Sequence, residues 1–296
     1  MERNEFTLTP ERSIREAFLE ASSFLDGIGI MEPQRNAQLL LEHVLGLTGT
    51  AYYVALGDDF PEDRRSEFEA VINRKAEGVP AQYITGEQEF YGRPFEVTPA
   101  VLIPRPETEL LVEAVLKYGN QLAPQPGERL TAVDIGTGSG AIAVTLALEA
   151  KGLRMLASDI SPQALDVARR NASRLGADVE FRQGNLLEPF AGLAPDMIVS
   201  NPPYIPASDI AGLQPEVRDH EPRTALDGGP DGLYPYRVMM DQLPLLAAPP
   251  RLIAFELGMG QAQDVADLLR AAGHWDEIVT IPDLAGIDRH VLGIAR

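Results

Sequence analysis

The sequence predicts an α/β protein in which a mainly parallel sheet of seven strands follows a small helical region. From residue 130 onward, short apolar runs alternate with stretches of helical periodicity, which is the pattern of β–α–β units. The first of these runs leads into a glycine-rich turn, Gly136-Thr-Gly-Ser-Gly140, that opens a helix. Before residue 80 the apolar residues recur at helical spacing instead. A helical domain followed by a sheet domain is therefore expected.

The first part of the chain is predicted to be helical. Residues 12–47 carry apolar side chains at helical spacing, with a break near Pro33. Another helix is predicted over 62–76, because a proline precedes it and its apolar residues fall on one face. Pro80 ends this region, so residues 1–80 are predicted to form an N-terminal helical domain.

The next stretch changes in character. Residues 81–105 are rich in aromatic and β-branched residues separated by glycines and prolines, which predicts a β-hairpin linker. Its aromatic residues Phe90, Tyr91 and Phe95 have two interpretations. They either contact a substrate or fill a core between the two domains.

Residues 106–296 are predicted to form the sheet domain. A helix is expected over 107–118, before the first strand of the sheet. The strands are predicted near 130–135, 153–158, 178–182, 195–200, 250–257, 274–281 and 289–295, and the remaining helices near 139–150, 162–175, 233–247 and 260–272. The sheet is expected to be parallel with an antiparallel ending.

Composition excludes several kinds of site. With no cysteine among 296 residues, the chain has no disulfide, no thiolate nucleophile and no cysteine-bound zinc. The four histidines are scattered without metal-ligand spacing, so we expect surface or packing roles and no metal site. A net charge of −19 disfavours a nucleic-acid partner. The acidity either maintains solubility or suits a basic protein partner.

The sequence also bears on location. No apolar run approaches the roughly 20 residues of a membrane span, and the first residues lack the basic-then-apolar order of a secretory signal. We therefore expect a cytoplasmic protein with no membrane partner. A monomer is also expected.

The glycine-rich turn predicts a cofactor site formed by Gly136, Thr137, Gly138, Ser139 and Gly140. Glycines let the backbone approach a ligand where a side chain would collide. Asp159 ends the next predicted strand, about 20 residues later, where a carboxylate accepts hydrogen bonds from ribose hydroxyls. The alternative is that Asp159 caps the helix beginning near Pro162.

The form of the turn indicates which cofactor is bound. It reads Gly-x-Gly-x-Gly after Asp134, and not the Gly-x-Gly-x-x-Gly of dinucleotide sites, where such an acid would repel phosphate. "VDIGTGSG" resembles motif I of the S-adenosylmethionine-dependent methyltransferases, whose sheet is Rossmann-like and whose product is S-adenosylhomocysteine. That resemblance implies that Asn185 and Leu186, after the third strand, contact adenine. Many relatives carry Asp where Asn185 stands, yet the Asn185 carbonyl can accept from the adenine amine.

A second motif, Asn201-Pro202-Pro203-Tyr204, follows the fourth strand at the sheet edge where α/β proteins bind ligands. Asn201 is therefore predicted to lie near the methyl donor, as a cofactor-binding residue as well as a catalytic one. A conjugated amide or base nitrogen is a poor nucleophile that no ordinary side chain deprotonates. The Asn201 oxygen and the Pro202 carbonyl can each accept one N–H and hold that nitrogen facing the methyl donor. Tyr204 would pack on the planar group, and the two prolines stiffen the turn. The alternative is a rigid turn without chemistry.

The flanking residues distinguish an amide from a base as the substrate. The runs "QYITGEQEFYGRPFEVTPAVLIPRPETELLVE", "VSNPPYIP", "HEPRTALDGGPDGLYPYR" and "FELGMGQ" closely resemble the bacterial release factor glutamine methyltransferases over nearly the whole chain. The resemblance implies methylation of the glutamine side-chain nitrogen in the Gly-Gly-Gln motif of class 1 peptide chain release factors. It also implies that the N-terminal helical domain docks the release factor.

Three alternatives remain at this point. The nearest is a glutamine methyltransferase that acts on a ribosomal protein, a family that shares Asn-Pro-Pro-Tyr but usually lacks Arg-Pro-Glu-Thr-Glu. The second is an adenine amine methyltransferase that acts on nucleic acid, which the net charge disfavours. The third is an inactive binding scaffold, against which the intact Gly136, Asp159 and Asn201 argue.

Two further features are candidates for the substrate site. Arg105 and Glu107 either line the substrate channel or form the entrance of a helix, where Glu107 suits the helix dipole. The glycine-rich run 221–232, part of the longer connection 205–232, is predicted to be either a flexible loop or a lid.

Overall fold

The computed structural model describes residues 5–122 and 129–295, which divide into two compact units. The first unit holds the described residues up to Gly86 and the short segment Gln214–His220. The second holds Glu87–Leu213 and the residues from Glu221 onward, apart from the undescribed ones. The first unit is therefore built from two stretches that lie far apart in the sequence.

The first unit is helical. Its helices are α1 (Ile14–Gly27), α2 (Pro33–Leu45), α3 (Thr50–Ala55), α4 (Arg65–Ala76), preceded by a 3-10 turn over Glu62–Arg64, and α5 (Ala81–Thr85). Helix α1 begins with a capping box, because the Ser13 side chain accepts from the Glu16 backbone while the Glu16 carboxylate accepts from the Ser13 N–H. Gly46 ends α2 in the left-handed conformation. The periodicity over 12–47 and 62–76 therefore predicted helices correctly.

The distant segment joins the first unit through a buried ion pair. The Lys75 side chain is completely buried, and its ammonium lies 2.5 Å from the Glu216 carboxylate. Glu216 lies on a short helix, which we label α9 (Pro215–His220). A buried charge without a partner is costly, so this pair holds the segment against the helical unit.

The second unit begins with a hairpin. Strands β1 (Glu87–Phe90) and β2 (Arg93–Glu96) pair antiparallel. Phe90 and Phe95 are buried and meet edge to face with ring centroids 5.9 Å apart, in the core beside the large sheet. For Phe90 and Phe95 neither interpretation was right, because both rings belong to the core of the second unit, against which the partly buried Tyr91 packs.

The large sheet confirms the predicted fold class. Its strands are β3 (Thr131–Ile135), β4 (Arg154–Asp159), β5 (Val179–Gln183), β6 (Met197–Ser200), β7 (Leu252–Glu256), β8 (Glu277–Pro282) and β9 (Asp288–Ile294). Their order is β5-β4-β3-β6-β7-β9-β8, and all neighbours are parallel except for β9, which runs antiparallel to β7 and β8. The strand order changes direction at β3, because β4 and β5 lie on one side of it and β6 and β7 lie on the other. Such a reversal of strand order creates a ligand crevice at the carboxyl ends of the strands.

Helices cover both faces of this sheet. The helices of the second unit are α6 (Pro106–Leu122), α7 (Ala141–Glu149), α8 (Pro162–Leu175), α10 (Arg223–Leu226), α11 (Tyr234–Gln242) and α12 (Ala262–Ala272). Residues of α6 and α7 pack with Ala132 and Val199 on one face, whereas residues of α11 and α12 pack with Val133 and Ile198 on the other. Because the central strands are buried on both faces, they appear in the sequence as continuous apolar runs. Within residues 5–122 and 129–295, none of the helices combines the length and apolarity of a membrane crossing.

Candidate active site

The crevice at the sheet reversal is a cavity of about 500 Å³, within the usual range for a small-molecule site. The carboxyl ends of β3, β4, β5 and β6 contribute to its lining. Of the predicted cofactor residues, the lining includes Gly136, Thr137, Gly138, Ser139, Asp159, Asn185, Leu186 and Asn201. Of the predicted substrate residues, it includes Arg105, Asn201 and Pro203, whereas Glu107, Pro202 and Tyr204 lie beyond it.

The glycine-rich turn joins β3 to α7. A side chain added at Gly136 or Gly138 would meet no protein atom within 4 Å, so the backbone here faces open space. At Gly140 an added Cβ would lie 3.2 Å from the Ala168 Cβ of α8, so this glycine allows close helix packing. The two kinds of glycine explain why the turn is glycine-rich, and Gly140 lies outside the cavity lining.

Asp159 organises the same turn. Its carboxylate accepts from the Gly138 N–H and from the Ser161 N–H, both at 2.9 Å. Burial raises its pKa above the ordinary value. The cap of α8 is Ser161, whose hydroxyl accepts from the Ala164 N–H. The suggestion that Asp159 caps this helix was therefore wrong.

A second carboxyl lies under the turn. Asp134 on β3 is buried and accepts from the Thr137 hydroxyl at 2.6 Å. Burial raises its pKa to about 7. Two acidic side chains therefore lie at or beneath the cavity, an environment that suits a cationic ligand better than a phosphate.

The predicted adenine contacts lie after β5. Asn185 is exposed, and its amide donates to the Glu188 carboxylate at 3.4 Å. Leu186 has a φ of 51°, a left-handed conformation that costs free energy for a leucine, and its carbonyl accepts from the Ser158 hydroxyl at 3.3 Å. A strained residue in a cavity lining is a common feature of functional sites.

The Asn-Pro-Pro-Tyr turn follows β6. Asn201 is half-buried in the cavity lining. The turn is fixed from its far end, because the Gln261 amide donates to the Tyr204 carbonyl at 2.9 Å and a side chain at Gly232 would collide with that same carbonyl. Burial raises the pKa of Tyr204 to about 12, so its phenol stays protonated.

Two residues that the sequence analysis did not single out support the Asn201 side chain. Thr108 contacts it directly, and Glu256 is connected to it through the Thr108 hydroxyl. The Asn201 amide nitrogen donates to Thr108 Oγ1 at 3.2 Å, and the Thr108 hydroxyl donates to Glu256 Oε2 at 2.7 Å. Thr108 and Glu256 are both buried. One clue was present in the sequence, since Glu256 ends the apolar run "LIAFE" of a buried strand, where an acid needs a partner.

Arg105 is held by a buried acid. Its guanidinium pairs with Glu221 and also donates to the Ile103 carbonyl at 2.8 Å. The Glu221 carboxylate accepts from the Ile103 N–H as well. Glu221 therefore connects the segment before α6 to the glycine-rich run 221–232, whose residues Pro222–Ala225 and Asp227 line the cavity.

The glycine-rich run is held by backbone hydrogen bonds to the residues that follow Tyr204. Ile205 N–H donates to the Leu226 carbonyl, Gly228 N–H donates to the Ile205 carbonyl, and Ala207 N–H donates to the Gly229 carbonyl, at 2.8–3.0 Å. The run is therefore attached to the Asn-Pro-Pro-Tyr turn, and its role as a lid remains a prediction.

Among the residues that the structure describes, no cluster of three or more His, Cys, Asp or Glu side chains has metal-binding geometry. His290 is fully buried, and the other three histidines are exposed or half-buried. Burial lowers the pKa of His290, so its ring is neutral at pH 7.

Two protein-family models match this chain. The model described as "PrmC N-terminal domain" matches residues 16–86, and the model described as "Methyltransferase small domain" matches residues 108–212.

Curated relatives align over almost the full length. A "Release factor glutamine methyltransferase" from Moorella thermoacetica is 44% identical over 286 residues, which are 96% of this chain and 99% of the relative. Proteins of the same name from Bacillus cereus and Bacillus subtilis are 42% and 43% identical over 285 residues, covering 94% and 96% of this chain and 98% of each relative.

Solved structures share the fold. The hMettl16 catalytic domain, crystallised in complex with the MAT2A 3'UTR hairpin 6, superposes with a TM-score of 0.53 at 18% identity over 73% of this chain and 80% of that one. The Thermus thermophilus 16S rRNA methyltransferase, solved with AdoMet and guanosine, gives 0.50 at 16% identity over 71% of this chain and 50% of that one. At such identities the likeness concerns the fold alone.

Proposed function

The chain belongs to the family of release factor glutamine methyltransferases, and from this premise we propose that it methylates the side-chain amide nitrogen of a release factor glutamine in the Gly-Gly-Gln motif. The methyl donor in this proposal is S-adenosylmethionine, and the substrate is a class 1 peptide chain release factor. The observation that carries the proposal is the position of Asn201 in one cavity with the glycine-rich turn and Asp159. A methyl donor on that turn and an amide on Asn201 would share this cavity.

The cavity fits the proposed cofactor. Gly136 and Gly138 leave room beside the backbone, and the Asp159 carboxylate retains acceptor capacity for ribose hydroxyls beyond its two backbone bonds. When bound, S-adenosylmethionine supplies an electrophilic methyl group on a positively charged sulfonium. The Asp159 carboxylate in the lining favours such a cation by Coulomb attraction, and Asp134 beneath the turn adds to this attraction in its ionised form.

Asn201 and Pro202 orient the substrate carboxamide. In the proposal, the Asn201 side-chain oxygen and the Pro202 carbonyl each accept one N–H of the substrate carboxamide, so the planar nitrogen presents its π face to the methyl group. As the new N–C bond forms, that nitrogen becomes positive, and the two oxygens stabilise the charge. The N–C bond would replace the methyl–sulfur bond of the donor, which would leave as S-adenosylhomocysteine. The nitrogen would then lose one proton to water, so no side chain is needed as a base. Pro203 stiffens the turn, and Tyr204 packs beside the amide as a neutral phenol.

Arg105 and Glu107 are proposed to contact the release factor near the cavity. The pairing of Arg105 with Glu221 fixes its guanidinium at the lining, where it can donate to backbone carbonyls of an incoming loop. Glu107 is exposed in the first turn of α6 and is free to meet a basic side chain of the substrate. We place the enzyme in the cytoplasm, since its proposed substrate acts in translation, and we propose that it acts as a monomer.

The competing substrates are less well supported. A ribosomal-protein glutamine and a nucleic-acid adenine would both suit an Asn-Pro-Pro-Tyr site. The curated relatives described above match over nearly the whole chain and carry the release factor name, and the charge of −19 opposes binding to nucleic acid.

The proposal is tested by mass spectrometry of release factor incubated with the protein and labelled S-adenosylmethionine. One added methyl group on the glutamine of the Gly-Gly-Gln peptide is the expected result, and a substrate in which that glutamine is replaced by alanine should remain unlabelled. Label on ribosomal protein or RNA, with none on release factor, would contradict the proposal.

Asp159→Asn is expected to weaken S-adenosylmethionine binding about tenfold, because a charged acceptor that contributes about 1.4 kcal/mol more than a neutral one is lost. Isothermal titration calorimetry measures this affinity. Asp166→Asn is the matched control, since Asp166 lies on α8 and pairs with Arg169 at the surface. Equal affinities for wild type and Asp159→Asn would remove Asp159 from the cofactor site.

A further inference from the structure

The hydrogen-bond chain behind Asn201 has a defined direction. Glu256 ends β7, Thr108 lies in the first turn of α6, and Asn201 follows β6, so three different elements bring these side chains together. The distances are 2.7 Å from Thr108 Oγ1 to Glu256 Oε2 and 3.2 Å from Asn201 Nδ2 to Thr108 Oγ1.

Counting protons explains the direction. An ionised carboxylate only accepts hydrogen bonds, so the single Thr108 hydroxyl proton points to Glu256. The Thr108 oxygen is then left with lone pairs alone and can only accept from Asn201. The Asn201 NH₂ group must therefore face Thr108, and its oxygen must face the opposite way.

That orientation matters because an asparagine amide can rotate by 180° and exchange its oxygen for its nitrogen. With the oxygen outward, Asn201 accepts an N–H from a substrate amide. With the nitrogen outward, two donors would face each other and the substrate nitrogen would lose an acceptor.

We propose that Glu256 and Thr108 are positioning residues that fix the rotation of the Asn201 amide and so keep its oxygen turned toward the substrate nitrogen. The inference rests on the proposed function, because the outward oxygen is needed only if Asn201 accepts from the substrate. Neither side chain touches the reacting atoms in this arrangement.

The surroundings of Glu256 make its protonation state relevant. The carboxyl is buried, and its pKa is raised to about 7, first by that burial and also by the Glu107 charge, while Thr108, Arg289 and Asn201 oppose the rise. His290 Nε2 lies 3.9 Å from Glu256 Oε2, and the histidine ring is neutral. The Tyr204 and Tyr236 phenols near Glu256 keep their protons. Below about pH 7, Glu256 gains a proton that it can donate to Thr108. The Thr108 hydroxyl can then donate to Asn201, so the direction of the hydrogen bonds reverses.

The first test removes the middle hydroxyl. Thr108→Val keeps the shape of the side chain, and we expect kcat for release factor methylation to fall about thirtyfold with the Kd of S-adenosylmethionine unchanged, since a misoriented group costs about 10- to 100-fold. Thr108→Ser should restore most of kcat. Thr145→Val is the matched control, because Thr145 is a buried threonine of α7 whose hydroxyl has no hydrogen-bond partner among the described residues.

The second test changes Glu256, which is the last residue of the hydrogen-bond chain. Glu256→Leu should lower kcat as Thr108→Val does, and the double variant should be no worse than either single one, because both remove the same constraint. The ratio of wild-type kcat to that of Glu256→Gln, at saturating cofactor, should fall as the pH drops below about 7. Asp134 titrates in the same range but is present in both proteins, so it cancels in the ratio.

Several results would overturn the inference. Wild-type kcat in folded Thr108→Val, additive losses in the double variant, or a pH-independent ratio would each show that the chain does not orient Asn201. Failure of the proposed function is a different result, since wild-type protein would then leave release factor unmethylated.

Discussion

Asn201→Ala is expected to lower kcat for release factor methylation about 10³-fold while S-adenosylmethionine still binds. The substitution removes one of two acceptors that stabilise positive charge on the substrate nitrogen, and loss of a single preorganised group of this kind costs about 10²- to 10³-fold in rate. It also leaves Thr108 Oγ1 without its donor, which disturbs the second acceptor little because Pro202 is fixed by its ring. Single-turnover kinetics with labelled cofactor measures the effect.

The control for this prediction is Gln263→Ala. Gln263 is an exposed amide on α12, and it donates to Asp267 at the surface. It should leave both kcat and cofactor affinity unchanged. Normal turnover by Asn201→Ala would refute the orientation mechanism, and loss of cofactor binding in the same variant would assign Asn201 to the cofactor instead of the substrate amide.

The sheet and the position of the cavity could be predicted from the sequence because they depend on local patterns. A buried strand, a glycine-rich turn and an amphipathic helix such as α8 each have a signature within about fifteen residues. The carboxyl ends of parallel strands lie at one edge of the sheet, so the residues that follow β3, β4 and β6 meet there. Gly136, Asp159 and Asn201 were therefore predicted to lie together, and they do.

The supporting residues could not be predicted, because their roles depend on contacts across long sequence separations. Thr108 and Glu256 are 148 positions apart and meet only when α6 packs beside β7. Likewise, Gln261 fixes the Tyr204 carbonyl from a loop 57 positions later. Periodicity shows that such residues are buried or lie at a strand end, but it does not show which polar group they meet.

The helical unit also contains a contact between distant residues that the sequence did not predict. Its helices were predicted from their apolar spacing, but the buried Lys75 and its partner Glu216 were not. Deleting this unit to test docking would therefore remove the partner of Glu216 in a segment that leads directly to the cavity lining at Pro222. Surface substitutions are a cleaner test of whether the unit binds release factor.

Tyr53 and Val54 are the residues to change. They are neighbours on α3 with 61% and 77% of their surface exposed, whereas the adjacent Tyr52 is buried. Two adjacent apolar side chains of this size are the candidates for a protein-binding surface on this helix. Tyr53→Asp combined with Val54→Asp is expected to raise the KM for intact release factor about 100-fold, since aromatic anchors of interfaces contribute 2 kcal/mol or more. The kinetics on a Gly-Gly-Gln peptide should stay unchanged.

Leu284→Asp supplies the matched control for this docking prediction, because Leu284 is 95% exposed in the turn between β8 and β9 of the other unit. It adds one charge in place of an exposed apolar side chain, where the α3 variant adds two, and it leaves the helical unit unchanged. If it raised the KM for intact release factor as much as the α3 variant, the effect would be one of net charge on a chain that is already at −19. If the α3 variant lost activity equally on intact factor and on peptide, α3 would not be a docking surface. Only a loss confined to the α3 variant and to the intact factor assigns docking to the helical unit.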